Sequence, residues 1–323
     1  MPRLLLLVPT SSYRIGDFLK AAQATGAEVV VGVGKGAGTA LPGDGAFSVD
    51  FSNHNVGVTQ IADYAALHPL DAIVAVDEGP TLLAARASQA LGLAHNKPDS
   101  IEAAGNKRRL REVLSAAGLP QARFEVLPID GPARTRVAFP CVVKPLAMSA
   151  SRGVIRADDQ PAFELAFSRT AAIVRSEDPN LRSPTSRALL VESFVPGIEV
   201  ALEGLLVNGT LKTLAIFDKP DPLDGPFFEE TIYVTPSRLD PEKQKVVKRA
   251  VAQAVAAVGL HSGPIHAELR LDGTDAYVLE VAARSIGGLC GRALRFGTGL
   301  SLEEIIVRHA LGQTVETNRE DRA

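Results

Sequence analysis

Two glutamates near the end of the chain, Glu268 and Glu280, are spaced to hold a cation between them. They lie in IHAELRLDGTDAYVLEVAARSIGG, Ile265–Gly288, which reads as a β-hairpin turning at Asp272-Gly273. A loop centred on Thr274 sets Leu271 opposite Tyr277, Leu269 opposite Leu279 and Glu268 opposite Glu280. Facing side chains leave the sheet on the same side, Cβ atoms roughly 4.5–5.5 Å apart, so two carboxylates placed this way repel unless a positive charge sits between them. Oxygen-only ligation suits Mg²⁺, which keeps waters and takes phosphate oxygens as further ligands; Mn²⁺ is the alternative. The plain reading is two solvated glutamates on an exposed face, and a one-residue slip in register abolishes the pair.

Two other stretches could serve a phosphorylated ligand. In FPCVVKPLAMSASRGV, Phe139–Val154, a strand delivers Lys144 between apolar flanks, where a lysine is uncommon without a partner. The small-residue run after it, Met148, Ser149, Ala150, Ser151, Arg152 and Gly153, can turn backbone N–H groups toward phosphate oxygens. A hairpin loop with Lys144 reaching to water is the alternative. In LLVESFVPGIEVALEG, Leu189–Gly204, a strand ends at Glu192, the chain turns at Pro196-Gly197 and Glu199 begins the next strand. The backbone of a connector such as Glu192, Ser193, Phe194 and Val195 can read the edge of a base, and a carboxylate can take ribose hydroxyls, though acidic residues at strand ends are usually solvated.

Apolar patterning supplies the framework for these groups. Length 323 allows two or three compact units. Short buried-type runs at Leu4–Val8, Val29–Val33 and Ala72–Val76 alternate with helical stretches at Ile15–Thr25 and Pro80–Leu91, which implies an open α/β layer. A basic amphipathic helix, Lys107–Ala117, ends at Gly118 and Pro120. Strands are expected at Arg123–Leu127, Cys141–Lys144 and Ala188–Phe194, with a helix around Ala162–Arg175 and a mobile loop at Ser176–Ser186. Two strands within Ile198–Phe217 join at Asn208-Gly209. A long helix, Pro241–Val258, precedes the glutamate hairpin. The last helix runs from about Ser301 to Leu311, and the tail is expected to fray.

Composition narrows the function. Apolar content of 46%, charged content of 22% and a net charge of −3 describe an ordinary globular chain. No strongly basic surface is implied, which argues against nucleic acid. The apolar run Leu4–Val8 is too short for a signal peptide, and no run approaches the roughly 20 residues of a membrane span. Cys141 and Cys290 lack metal-ligand spacing and fit a reduced, cytoplasmic setting. The glycine-rich Gly32–Gly38 fails the phosphate-loop pattern and lacks a good dinucleotide fingerprint, so it reads as a plain loop.

The order of the pieces says more than any one of them. Lys107, Lys144 with its small-residue loop, Glu192, Glu199, Glu268 and Glu280-x-x-x-Arg284 together resemble the ATP-grasp superfamily, from about Asn96 to Gly312. The resemblance implies an α/β domain over 1–95, linker helices over 96–122, and a two-subdomain α+β ATP-grasp fold. Its small subdomain with a lid loop would span 123–195 and its large subdomain with the metal site 196–312, leaving a tail at 313–323. It implies that Lys107 and Lys144 contact ATP phosphates and that Met148, Ser149, Ser151 and Gly153 close over them. Glu192, Ser193, Phe194 and Val195 would hold adenine, and Glu199 the ribose. Glu268 and Glu280 would ligate Mg²⁺, with His266 as a further candidate, and Arg284 would face an acyl phosphate.

EVAARSIGG looks like the branch of L-amino-acid ligases and carnosine-synthase-like enzymes, which join a small-molecule carboxylate to an amine. On that reading Glu230, Tyr233, Arg284 and Glu78 set substrate choice, Glu78 standing at the carboxyl end of a parallel strand where open α/β sheets place ligands. Here the usual Asn metal ligand is Ala283, the usual histidine is Tyr233, and the extra C-terminal subdomain of several amino-acid ligases is expected to be missing. An ATP-grasp carboxylase or purine-precursor enzyme is the first rival, and a non-catalytic nucleotide-binding regulatory protein the second. A homodimer is left open.

Overall fold

The computed structural model describes residues 1–34, 45–179, 181–229 and 231–318. The first layer comprises β1 (Arg3–Val8), α1 (Ile15–Ala24), β2 (Glu28–Gly34), β3 (Ala46–Val49), α2 (His54–Leu67), β4 (Ala72–Ala75) and α3 (Thr81–Ala90). Its strands are parallel in the order β3-β2-β1-β4. Leu4 to Leu7 of β1 are all fully buried. Leu4 and Leu6 pack toward α1, and Leu5 and Leu7 toward α2 and α3; a strand covered on both faces is written as an unbroken apolar run. The sequence reading missed β3 and α2. β3 has four residues, and α2 buries only Gly57 and Ile61, so neither carries a strong periodic signal. Residues 35–38 of the glycine-rich run lie outside the described residues.

Two helices, α4 (Pro98–Gly105) and α5 (Lys107–Ala116), lead to a small antiparallel sheet. It contains β5 (Phe124–Pro128), β6 (Cys141–Pro145), β7 (Ile155–Ala157) and, after helix α6 (Gln160–Glu177), β8 (Ala188–Ser193), in the order β5-β8-β6-β7. Cys141 and Val143 pack with Phe163 and Phe167 of α6, and Lys144 takes the other face. β7, three residues long, was not expected. The expected loop Ser176–Ser186 is partly structured. α6 continues to Glu177, Pro184–Arg187 forms a 3-10 turn, and Asp178 accepts hydrogen bonds from Ser183 N and Ser186 Oγ.

The larger sheet comprises β9 (Ile198–Val207), β10 (Thr210–Asp218) and, after α7 (Pro241–Val258), β11 (Gly263–Asp272) and β12 (Asp275–Ala282), ordered β10-β9-β11-β12. α8 (Leu302–Ala310) then returns to the first layer beside α1. In β9, Val200, Leu202 and Leu206 pack with Val251 and Val255 of α7. The alternate residues Glu199, Ala201 and Glu203 face the other way, opposite Arg270, Glu268 and His266 of β11. The expected fraying does not extend to Asn318, whose carbonyl accepts from Gly297 N at 2.8 Å.

The hairpin pairs Glu268 with Glu280, as the sequence predicts, but by another route. The strands turn tightly, Asp272 facing Asp275, so Leu271 faces Ala276 and Leu269 faces Val278 rather than the expected Tyr277 and Leu279. A register shift beyond Leu269 places an extra residue, Leu279, in β12 and brings Glu280 opposite Glu268. Ala276, Val278 and Val281 are buried with α7. Strict alternation would send Glu280 to that same apolar face; the bulge turns it to the other.

Candidate active site

The two sheets enclose a cleft of about 850 Å³, part of it open to solvent. Lys107, Lys144, Met148, Ser149, Ser151, Glu192, Ser193, Phe194, Val195, Glu199, Glu268, Glu280 and Arg284 line it. Gly153, Glu78 and Tyr233 do not. Gly153 turns away, packing on Pro145 while its carbonyl accepts from Thr170 Oγ1. Tyr233 packs edge-on against Phe217, with Lys219 Nζ 5.2 Å from its ring centre. Glu230 lies outside the described residues.

The cleft walls are built from charged groups that satisfy one another. Lys144 Nζ donates to Glu192 Oε2 at 2.6 Å, and Arg111 Nε donates to Glu192 Oε1 at 2.5 Å. Glu192 is 1% exposed. Burial pushes its carboxyl up, but Arg111 and Lys144 outweigh that and hold it at about 2. Each of its oxygens accepts one charged donor, so Glu192 forms a buried ion triad with Arg111 and Lys144 on the cleft wall. Arg111, 1% exposed, also donates to the carbonyls of Val278 and Leu279, tying α5 to the bulged strand. The sequence reading missed it; the signal was an arginine at a core position of the α5 apolar stripe, beside Leu110 and Leu114.

The hinge between the sheets is equally tied. Phe194 N donates to Pro140 O, and Val195 O accepts from Arg270 Nη1 at 2.8 Å. Ser193 N donates likewise to Arg123 O, and Val195 O keeps a second lone pair toward the cleft it lines. Arg270, also unforeseen, is 2% exposed and donates to the carbonyls of Pro222 and Leu223. The Phe194 ring lies between the guanidiniums of Arg156 and Arg270, at 4.2 and 4.9 Å. Gly197 (φ 94°) is required at the turn, since a Cβ there would stand 1.9 Å from Leu271 O.

The loop after β6 is anchored from below. Lys107 Nζ donates to Met148 O at 2.7 Å and lies 3.2 Å from Glu280 Oε2. Ala150 and Ser151 both adopt left-handed backbone, at φ 55° and 51°, strain that typically accompanies a ligand-clamping loop.

Glu268 and Glu280 are each partly open to the cleft. Glu268 Oε1 is 3.4 Å from Lys219 Nζ, and Lys219 donates to Glu199 Oε1 at 2.8 Å. Burial alone would raise the Glu268 carboxyl; Lys219 and His266 drive it well below the ordinary range. His266 lies between Glu203 and Glu268, at 3.3 and 3.5 Å. Burial disfavours its charge, but those carboxylates raise it to about 9. His266 thus braces Glu268 from behind, its Nε2 3.5 Å from Glu268 Oε1. Among the described residues no cluster of three or more His, Cys, Asp or Glu forms a closed cage. Two facing carboxylates with open positions fit Mg²⁺, the remaining ligands being waters and phosphate oxygens.

Arg284 closes the far end. Its Nε donates to Glu78 Oε2 at 2.8 Å and its Nη1 to Ser285 O at 2.9 Å. Burial and the nearby Glu280 raise the Glu78 carboxyl, against the pull of Arg284.

Residues 137–293 match the family model for the ATP-grasp domain. That match takes in just under half of the chain. Nearly the whole chain shares its fold with a solved structure: an L-amino acid ligase from Bacillus licheniformis superposes with a TM-score of 0.77 and 26% identity, over 96% of this chain and 74% of that one. Alanine–anticapsin ligase from Bacillus subtilis (strain 168) is 26% identical over 246 residues, which is 71% of this chain and 52% of the relative. Human carnosine synthase 1 is 27% identical over 187 residues, 56% of this chain and 22% of the relative. The chain thus spans about half the length of alanine–anticapsin ligase.

Proposed function

We propose that this protein is an ATP-dependent carboxylate–amine ligase acting through an acyl phosphate. The reading rests on one convergence above all: Glu268 and Glu280 face each other on the cleft wall, with Lys107, Lys144 and Arg284 lining the same cleft. A carboxylate oxygen attacks the γ-phosphorus of ATP, the bond to the bridging oxygen breaks, and ADP leaves. An amine then attacks the acyl carbon, inorganic phosphate leaves, and the nitrogen gives up a proton. Lys107 and Lys144 would hold phosphate oxygens, and Arg284, with its planar fork, the transferring phosphoryl group. Glu268 and Glu280 would hold Mg²⁺, which supplies charge neutralisation at the triphosphate. The loop Met148–Gly153 would close over the phosphates and keep water from the acyl phosphate. Glu199 remains the candidate for the ribose.

The resemblance to amino-acid ligases supports an amino acid as one substrate. Glu78 is then the candidate for its ammonium group: it stands outside the cleft lining but is a carboxylate paired with Arg284, which lines it. A matrix of acids and amines scored by ADP and phosphate release tests the proposal. Release that requires one acid and one amine supports it. Release with bicarbonate and no carboxylic acid favours the carboxylase reading, and no release with any pair favours a regulatory protein.

A further inference from the structure

Arg14 belongs to no motif, yet it is 3% exposed and its guanidinium joins three parts of the molecule. It sits on the turn between β1 and α1. Nη1 donates to Val76 O at 3.2 Å, and Nη2 donates to Ser285 Oγ at 2.6 Å and lies 3.6 Å from Glu303 Oε1 of α8. Ser285 and Glu303 are themselves buried, at 2% and 5%. Val76 stands two residues ahead of Glu78, and Ser285 directly follows Arg284. Arg14 therefore grips the chain beside each partner of the Arg284–Glu78 ion pair. From the next position Tyr13 reaches the same segment, its hydroxyl accepting from Gly288 N. A planar fork can hold two acceptors in different directions at once; a lysine ammonium in the same place cannot reproduce that geometry.

We infer that Arg14 is a positioning residue for Arg284: it fixes the angle at which the Arg284 guanidinium enters the cleft, without touching substrate itself. The inference rests on the ligase reading for the role of Arg284. Displacement of a catalytic group by about 1 Å from a remote change can lower turnover on the order of 100-fold.

The test is a double-mutant cycle of R14K and R284K, read in kcat, in KM for ATP and in thermal midpoint. E303Q serves as control, since it removes the ion pair but leaves both hydrogen bonds of Arg14. R14K should lower kcat about 10- to 100-fold, with KM for ATP unchanged within about twofold, and the loss should largely vanish in the R284K background. E303Q should move the thermal midpoint and leave kcat within about twofold. Equal loss from R14K in both backgrounds, or a change in midpoint alone, overturns the inference and leaves Arg14 a structural bolt. A wild-type protein with no acid- and amine-dependent turnover defeats the ligase reading instead. The positioning of Arg284 is then read from titration of inorganic phosphate into the ADP-bound protein. Weaker phosphate binding in R14K with ADP affinity intact sustains it, and unchanged phosphate binding refutes it.

Discussion

At the scale of single residues, the most consequential group in the cleft is Glu192, because its charge is balanced wholly by protein. Its folded value of about 2 lies below the ordinary 4.5, so the Arg111–Glu192–Lys144 triad stabilises the fold above pH 4.5 and loses that contribution as pH falls toward 2. E192Q should destabilise the protein at pH 7 by about 3–5 kcal/mol, the usual result of breaking a buried pair. The gap from wild type should narrow between pH 4.5 and pH 2. Urea unfolding of both proteins at pH 7 and pH 3 checks this, and an equal gap at the two values would remove the triad from the account. E280A is expected to do the opposite: Glu280 is partly open to the cleft, so turnover should fall by 100-fold or more, from loss of several kcal/mol of metal-held stabilisation, with a circular dichroism spectrum like wild type. Phosphate release at saturating Mg²⁺ decides it. Lys144 was legible from sequence because a lysine amid Val142, Val143 and Pro145 needs a partner. The identity of that partner was not: Glu192 lies 48 positions further on, and nothing local in the chain links the two.

At the scale of elements, the hairpin shows what patterning can and cannot fix. Alternation of apolar residues and the Asp-Gly turn signal located both strands, and Glu268 and Glu280 do face each other. Turn length and bulge were invisible because they compensate, a tighter turn shifting the register one way and Leu279 shifting it back. The loop after β6 is the element most open to a direct test. Met148–Gly153 combines left-handed Ala150 and Ser151 with anchors at its two ends, Lys107 on Met148 O and Thr170 on Gly153 O, and between them, among the described residues, only an exposed Arg152–Glu177 pair, so opening of its middle should cost little free energy. Limited trypsin digestion should cut at Arg152 in the free protein and several-fold more slowly with Mg²⁺ and a non-hydrolysable ATP analogue. Equal rates would mean that the loop does not close over nucleotide. The short pieces β3, α2 and β7 escaped the sequence reading for a common reason: they are brief or weakly periodic, and their places are set by packing against longer neighbours rather than by their own pattern.

At the scale of the whole molecule, three sheets do not mean three independent cores. Leu4, Leu6 and Phe18 of the first layer share one apolar cluster with Ala201, Leu205 and Phe217 of the large sheet and with Ile305 and Ile306 of α8. A linear reading by alternation separates the first 95 residues from the rest of the chain; it has no means of seeing that α8, more than 200 positions later, completes their core. The small sheet differs. Among the described residues its apolar cluster, from Ile129 to Val191, draws on no residue of the other two sheets, and the ties that join it to the rest of the molecule in the cleft are mainly polar: Arg111 on Glu192, Arg270 on Val195, and Arg156 on Asp224 O at 2.7 Å, beside one ring contact of Phe194 with Phe228. Apolar interdigitation resists sliding, whereas polar groups that part on opening regain hydrogen bonds to water, which offsets much of the loss even for the buried Arg111–Glu192 pair. The first layer and the large sheet should therefore open as one cooperative unit, and the small sheet as another of lower stability. Native-state hydrogen exchange under increasing denaturant measures both. Amides of β1, β9 and β11 are expected to merge into one unfolding isotherm, those of β6 and β8 into a second that lies lower without nucleotide and rises toward the first with Mg²⁺ and an ATP analogue. If β1 exchanges with β6 rather than with β9, the shared core under α8 does not unite the first layer with the large sheet, and the small subdomain is not the part of this molecule that moves.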